Sequence, residues 1–140
     1  MINDNLKKVT WIKFLVNRDS RGNLIAIEGE QTIPFNIERI FYLNKVIDDR
    51  GGHAHKDTDQ VIIAIHGSFK VSLSDGYEKK IFEFNDSEKG LFVPKMIFTE
   101  LFEFSSDAVC LVLTNTHYDM SKSIRTWEEY LIYIKIKNEG

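Results

Sequence analysis

The stretch "RGGHAHKDTDQVIIAIHG", Arg50 to Gly67, carries both an apolar strand and the residues that bear chemistry. His53 and His55 flank one alanine, and side chains two apart on a strand point to the same face. Behind them "DQVIIAIHG" (Asp59–Gly67) is apolar and β-branched, the composition of a strand. Four residues separate His55 from Gln60, and six more separate Gln60 from Gly67. Paired imidazoles at this spacing begin many metal sites, and they also suit proton transfer near neutral pH.

The same rhythm of short strands and turns runs outward in both directions. Val9–Asn17, Leu24–Gly29 and Ile37–Asn44 read as strands, with turns at Arg18–Asn23 and at "DDRGG" (Asp48–Gly52). Downstream, "SFKVSLSDG" (Ser68–Gly76) alternates Phe69, Val71 and Leu73 with polar residues, a half-buried strand ending in a hairpin signal. "KKIFEFN", "GLFVPKMIFTELFEFS" and "AVCLVLTN" continue the series. Only "SIRTWEEYLIYIK" (Ser123–Lys135) breaks it, with Ile124, Trp127, Leu131 and Ile134 at helical spacing. The expectation is an all-β chain, a sandwich or barrel of jelly-roll type, with a short C-terminal helix on its outside. At 140 residues with no linker, it should be one domain over 1–140.

Composition removes several classes. A net charge of −3 gives no footprint for nucleic acid or an anionic membrane. The N-terminus lacks the run of about seven apolar residues of a signal peptide. No run approaches the roughly eighteen apolar residues of a membrane span. One cysteine, Cys110, lies in an apolar run and reads as an inert core thiol in a reducing compartment. The cytoplasm is the expected location.

The spacing of His53, His55, Gln60 and Gly67 resembles the first motif of the cupin superfamily, in which a glutamate ligand stands where Gln60 does. The second cupin motif, ending in a histidine ligand, aligns imperfectly with "GLFVPKMIFTE" (Gly90–Glu100) and puts Thr99 at the histidine. An amide and a hydroxyl replace poorly a carboxylate and an imidazole on a transition metal, so no metal is expected. Arg50, two glycines and Lys56 surround the histidines, a flexible basic rim suited to an anionic ligand. His66 and His117 stand apart from any such constellation and read as structural.

Nearly the whole chain resembles the sugar 3,4-ketoisomerases, cupins that act on dTDP-4-keto-6-deoxyglucose. The residues that carry this are "DSRGNL" (Asp19–Leu24), "IPFNIERIFYL" (Ile33–Leu43), "RGGHAHK" (Arg50–Lys56), "GSFKVSLSDG" (Gly67–Gly76), "KGLFVPKMIFTE" (Lys89–Glu100), "FSSDAVCLVL" (Phe104–Leu113) and "YDMSKSIRTWEEY" (Tyr118–Tyr130). The resemblance implies that the keto group moves from C4 to C3 through an enediol, without metal or cofactor, in the biosynthesis of 3-amino-3,6-dideoxy sugars. It implies His55 as the base with His53 beside it, and Tyr42 or Thr99 as a donor to a substrate oxygen. Arg39 and Arg50 would hold the pyrophosphate, with Lys56 and Gln60 also at the substrate and Arg21 reaching across a homodimer. The chain departs from the family at Phe98 (often Trp), Thr99 (often basic) and Phe41-Tyr42 (often Tyr-Tyr), all expected near the sugar. Other readings are a 3,5-epimerase of the same substrate, a sugar-binding cupin without catalysis, or a metal dioxygenase.

Overall fold

The computed structural model describes residues 4–139. After a single 3-10 turn, strands β1 (Thr10–Lys13), β2 (Val16–Asp19), β3 (Gly22–Ile25) and β4 (Arg39–Asn44) form the first third. β5 (Arg50–His55), β6 (Gln60–His66), β7 (Phe69–Ser74) and β8 (Lys79–Phe84) follow. β9 (Lys89–Val93), β10 (Phe98–Phe102), β11 (Val109–Thr114), the two-residue β12 (Ser123–Ile124) and helix α1 (Trp127–Glu139) complete the chain. The first sheet has the order β1-β9-β6-β11-β4 and the second β12-β5-β10-β7-β8, with every pairing antiparallel; β2 and β3 form a separate hairpin. This is the expected jelly-roll sandwich. Its central core takes Ile62, Ala64, Leu91 and Val112 from the first sheet and Phe69, Val71, Leu73 and Leu101 from the second.

The uninterrupted apolar character of β6 has a local cause. Ile62 faces the other sheet, while Val61 and Ile63 turn outward under a layer formed by Phe14, Ile33 and Phe35. A strand covered on both faces has no polar side, so its alternation disappears. The same layer breaks the strand expected over Val9–Asn17. Phe14 is drawn under the sheet, its N–H donating to the Glu88 carbonyl at 2.9 Å, and the chain resumes as β2 in the separate hairpin. The strand expected to run to Gly29 stops at Ile25, where the chain turns to supply that layer.

The tail also differs from its sequence pattern. Ile124 pairs with β5 as part of β12, and the helix begins at Trp127. The Thr126 hydroxyl accepts the Glu129 N–H at 3.1 Å, a capping bond that fixes the start. Among the described residues of α1, Tyr130 and Ile134 are buried, whereas Trp127 and Leu131 stay partly exposed. The Tyr130 hydroxyl donates to the Met96 carbonyl at 2.7 Å and lies 3.2 Å from the Ser74 carbonyl, fastening the helix to the outer face of the second sheet. Ser74 is buried under this contact, and with Ser72 also buried β7 is covered on both faces rather than half-buried.

Candidate active site

"DDRGG" is not a turn: β5 already begins at Arg50, and the glycines form a β-bulge. Thr99 of β10 faces His53, yet its neighbour Glu100 faces Gly51, so Gly52 is an extra residue with no partner. On a regular strand Arg50 and His53 would point to opposite faces, being three apart. The extra residue restores the phase, and Arg50 lines the same cavity as His53 and His55. Only glycine fits the geometry. Gly51 has φ +111°, and a Cβ there would lie 2.7 Å from the Thr99 carbonyl oxygen.

The cavity lies between the sheets and has a volume of about 440 Å³. The second sheet contributes Arg50, His53, His55 and Thr99; the first contributes Arg39, Phe41, Gln60 and Ile62. The two imidazoles meet edge-on, with ring centroids 4.9 Å apart. Burial lowers the pKa of both. For His55, the His53 ring and the Arg39 and Arg125 charges add to burial, Asp57 opposes them, and the value falls to about 4. For His53, Arg125 and Arg50 add to burial. Both rings are therefore neutral at pH 7 and able to accept a proton. Gln60 and Thr99 are buried in the wall, and the Thr99 hydroxyl donates to the Ile97 carbonyl at 3.3 Å.

Three arginines point their charge at this space in a chain whose net charge is −3. Arg39 stacks over Phe41 at 4.5 Å and over Tyr118 at 5.0 Å. Arg125 donates to the Tyr118 hydroxyl at 3.2 Å. Tyr118 and Arg125 both line the cavity, and sequence reasoning gave neither a role. They lie within the segment Tyr118–Tyr130 that carried part of the family likeness. No periodicity marks them, because Arg125 reaches the cavity only through the pairing of β12 with β5.

Several expected site residues lie elsewhere in this chain. Tyr42 is 64% exposed on the opposite face of β4 from Arg39 and Phe41, as strand alternation requires. Arg21 is at the tip of the β2–β3 hairpin, paired with Asp19 at 2.7 Å in solvent. Lys56 turns away from the cavity and places its ammonium 5.2 Å from the Tyr133 ring on α1. Phe98, expected near the sugar, packs outward on Trp127 and Tyr130. His66 and His117 are exposed and face Asp107 and Glu38 at the surface.

A metal does not fit this donor set. Two imidazoles are joined by an amide and a hydroxyl, and among the described residues no three His, Cys, Asp or Glu side chains come together.

A jelly roll with two neutral histidines in a cationic cavity defines a class, the cupin-type isomerases that work by acid–base chemistry. The family described as "FdtA: WxcM-like, C-terminal" matches residues 7–135, and the chain belongs to it. It is 38% identical, over 127 residues, to the TDP-4-oxo-6-deoxy-alpha-D-glucose-3,4-oxoisomerase of Aneurinibacillus thermoaerophilus, covering 87% of this chain and 91% of that one. The crystal structure of QdtA, a sugar 3,4-ketoisomerase from Thermoanaerobacterium thermosaccharolyticum in complex with TDP, superposes with a TM-score of 0.90 at 40% identity, covering 94% and 98% of the two chains. A histidine-to-asparagine mutant of QdtA, in complex with TDP-4-keto-6-deoxyglucose, superposes at 0.89 with 37% identity over 97% and 98%. Two sugar epimerases match at only 11% and 14% identity, a likeness of fold alone.

Proposed function

We propose that the protein converts TDP-4-keto-6-deoxyglucose to its 3-keto isomer. The observation that carries this reading is the pair of neutral imidazoles on one face of β5, inside a cavity ringed by arginines. The C4 carbonyl acidifies the C3 proton. His55 removes it, the electrons move into a C3–C4 double bond, and charge develops on the C4 oxygen. Passing the hydroxyl proton from O3 to O4 and returning the carbon-bound proton to C4 completes the transfer of the keto group to C3. No change of oxidation state of the whole sugar occurs, so no redox cofactor is needed. His53 packs against the His55 ring and holds its orientation. Arg39 and Arg50 take the diphosphate, since guanidinium groups match its oxygens geometrically.

The working unit is a homodimer. β4 is the outer strand of the first sheet, and Ile40 and Tyr42 are exposed on its outward face. An open edge with apolar side chains gains from a second copy. Among the described residues no helix is long and apolar enough to cross a membrane. We place the reaction in the cytoplasm, in keeping with the single buried thiol at Cys110.

NMR of the product formed from TDP-4-keto-6-deoxyglucose tests the reaction directly. A 3-keto sugar is the expected product. His55→Asn should lower turnover by about 10²-fold or more while leaving the circular dichroism spectrum unchanged. Substantial turnover in that variant would remove His55 as the base.

A further inference from the structure

Isomerisation moves two protons; His55 carries one, with His53 packed against its ring. The substrate has H on C3 and a hydroxyl at O3; the product has H on C4 and a hydroxyl at O4. His55 carries the carbon-bound proton. A second group must give a proton to O4 as the enediol forms and take one from O3 as the new carbonyl forms. It must be a donor with a detachable proton, next to the base, and free of another acceptor.

The side-chain hydroxyls lining the cavity are those of Thr99, Tyr118 and Ser123. Thr99 directs its proton to the Ile97 carbonyl. An aliphatic hydroxyl such as that of Ser123 ionises far less readily than a phenol, whose ordinary pKa is about 10. Tyr118 remains. Its oxygen accepts from Arg125, so its own proton is not engaged in that bond and is available to a substrate oxygen. The guanidinium beside that oxygen would stabilise the phenolate left when the proton departs. The Arg39 guanidinium packs over the ring face, 5.0 Å from its centroid. Tyr118 also lines a second, smaller cleft together with His55 and Ser123, which puts it at the His55 end of the cavity.

Resting on the ketoisomerase reading, the geometry points to Tyr118 as the catalytic residue that shuttles the hydroxyl proton from O3 to O4, with Arg125 as its positioning residue. The balance closes. His55 takes H from C3 and gives it to C4; Tyr118 gives H to O4 and takes it back from O3. Both groups end as they began, and the sugar is rearranged with no net proton exchange.

The test is steady-state kinetics of Tyr118→Phe with TDP-4-keto-6-deoxyglucose, alongside Ser123→Ala and the unmodified protein. Tyr118→Phe should lower kcat by about 10²-fold and change KM by less than about threefold. Ser123→Ala should lower kcat far less than Tyr118→Phe does. A Tyr118→Phe variant with unchanged kcat, or one impaired in KM alone, overturns the role of Tyr118. A kcat loss in Ser123→Ala without one in Tyr118→Phe transfers the role to the serine. An unmodified protein that is inert toward this substrate overturns the ketoisomerase reading itself.

Discussion

His55 faces the Arg39 and Arg125 charges and the ring of His53, and their repulsion adds to the hydration it loses on burial. A diphosphate held among the arginines would cancel much of that repulsion, making the imidazole a stronger base with substrate bound than without. The sign follows. The acid limb of kcat/KM reports the free protein and should have its midpoint near pH 4. The acid limb of kcat reports the complex and should lie at higher pH, by the part of the shift that the arginine charges contribute on top of burial. Rates measured from roughly pH 4 to 8 separate the two limbs; coincident limbs would mean that the arginines do not couple to the base. The residues also set the limit of what could be read from the sequence. His53, His55, Gln60 and Thr99 sit at spacings that already imply one face of a strand, and all four line the cavity. Tyr42, expected at the substrate, lies on the outward face of β4 in this chain, while its neighbour Phe41 lines the cavity. Alternation puts one of Phe41 and Tyr42 inside, and only the register of β4 against β11 decides which.

At the scale of elements, β5 is the part most dependent on its glycines. Gly51→Ala forces a Cβ to within 2.7 Å of the Thr99 carbonyl oxygen and 2.8 Å of the Glu100 Cα, both backbone atoms that cannot swing aside. The variant should lose about 2 kcal/mol of stability, read from denaturant unfolding. Its kcat/KM should fall, because the bulge sets the phase between Arg50 and the histidines; unchanged kinetics would show that the phase is immaterial. In the sequence this bulge resembled a turn, since glycine marks both. The strands with one solvated face were legible. Less so were β1 and β2, where a single apolar run hides the exit of Phe14 to the outer layer. Helix α1 was legible as a helix, but its buried face was not. Tyr130 is fully buried, and what it meets there, Phe98 and the Met96 carbonyl, lies more than thirty residues away.

For the whole molecule, the open edge at β4 carries the proposed association. Ile40→Lys with Tyr42→Lys should give a particle of half the mass in light scattering, without disturbing Arg39 or Phe41 on the inner face. A wild-type protein already at monomer mass would remove the homodimer. The second sheet takes its last strand from late in the chain. β5 lies between β10 and β12, and β12 is only two residues long, near the end of the chain. Synthesis proceeds from the N-terminus, so a growing chain that has just released β11 already holds both histidines, while one edge of their strand is bare. Ser123 and Ile124 close that edge, and the Arg125 that follows them delivers its charge to the cavity. The growing chain thus holds its two cavity histidines before Tyr118 and Arg125, and before the strand that covers their edge. A premature stop shortly before Ser123 would spare every histidine and yet leave a sticky, inactive chain for the cell's quality control to clear.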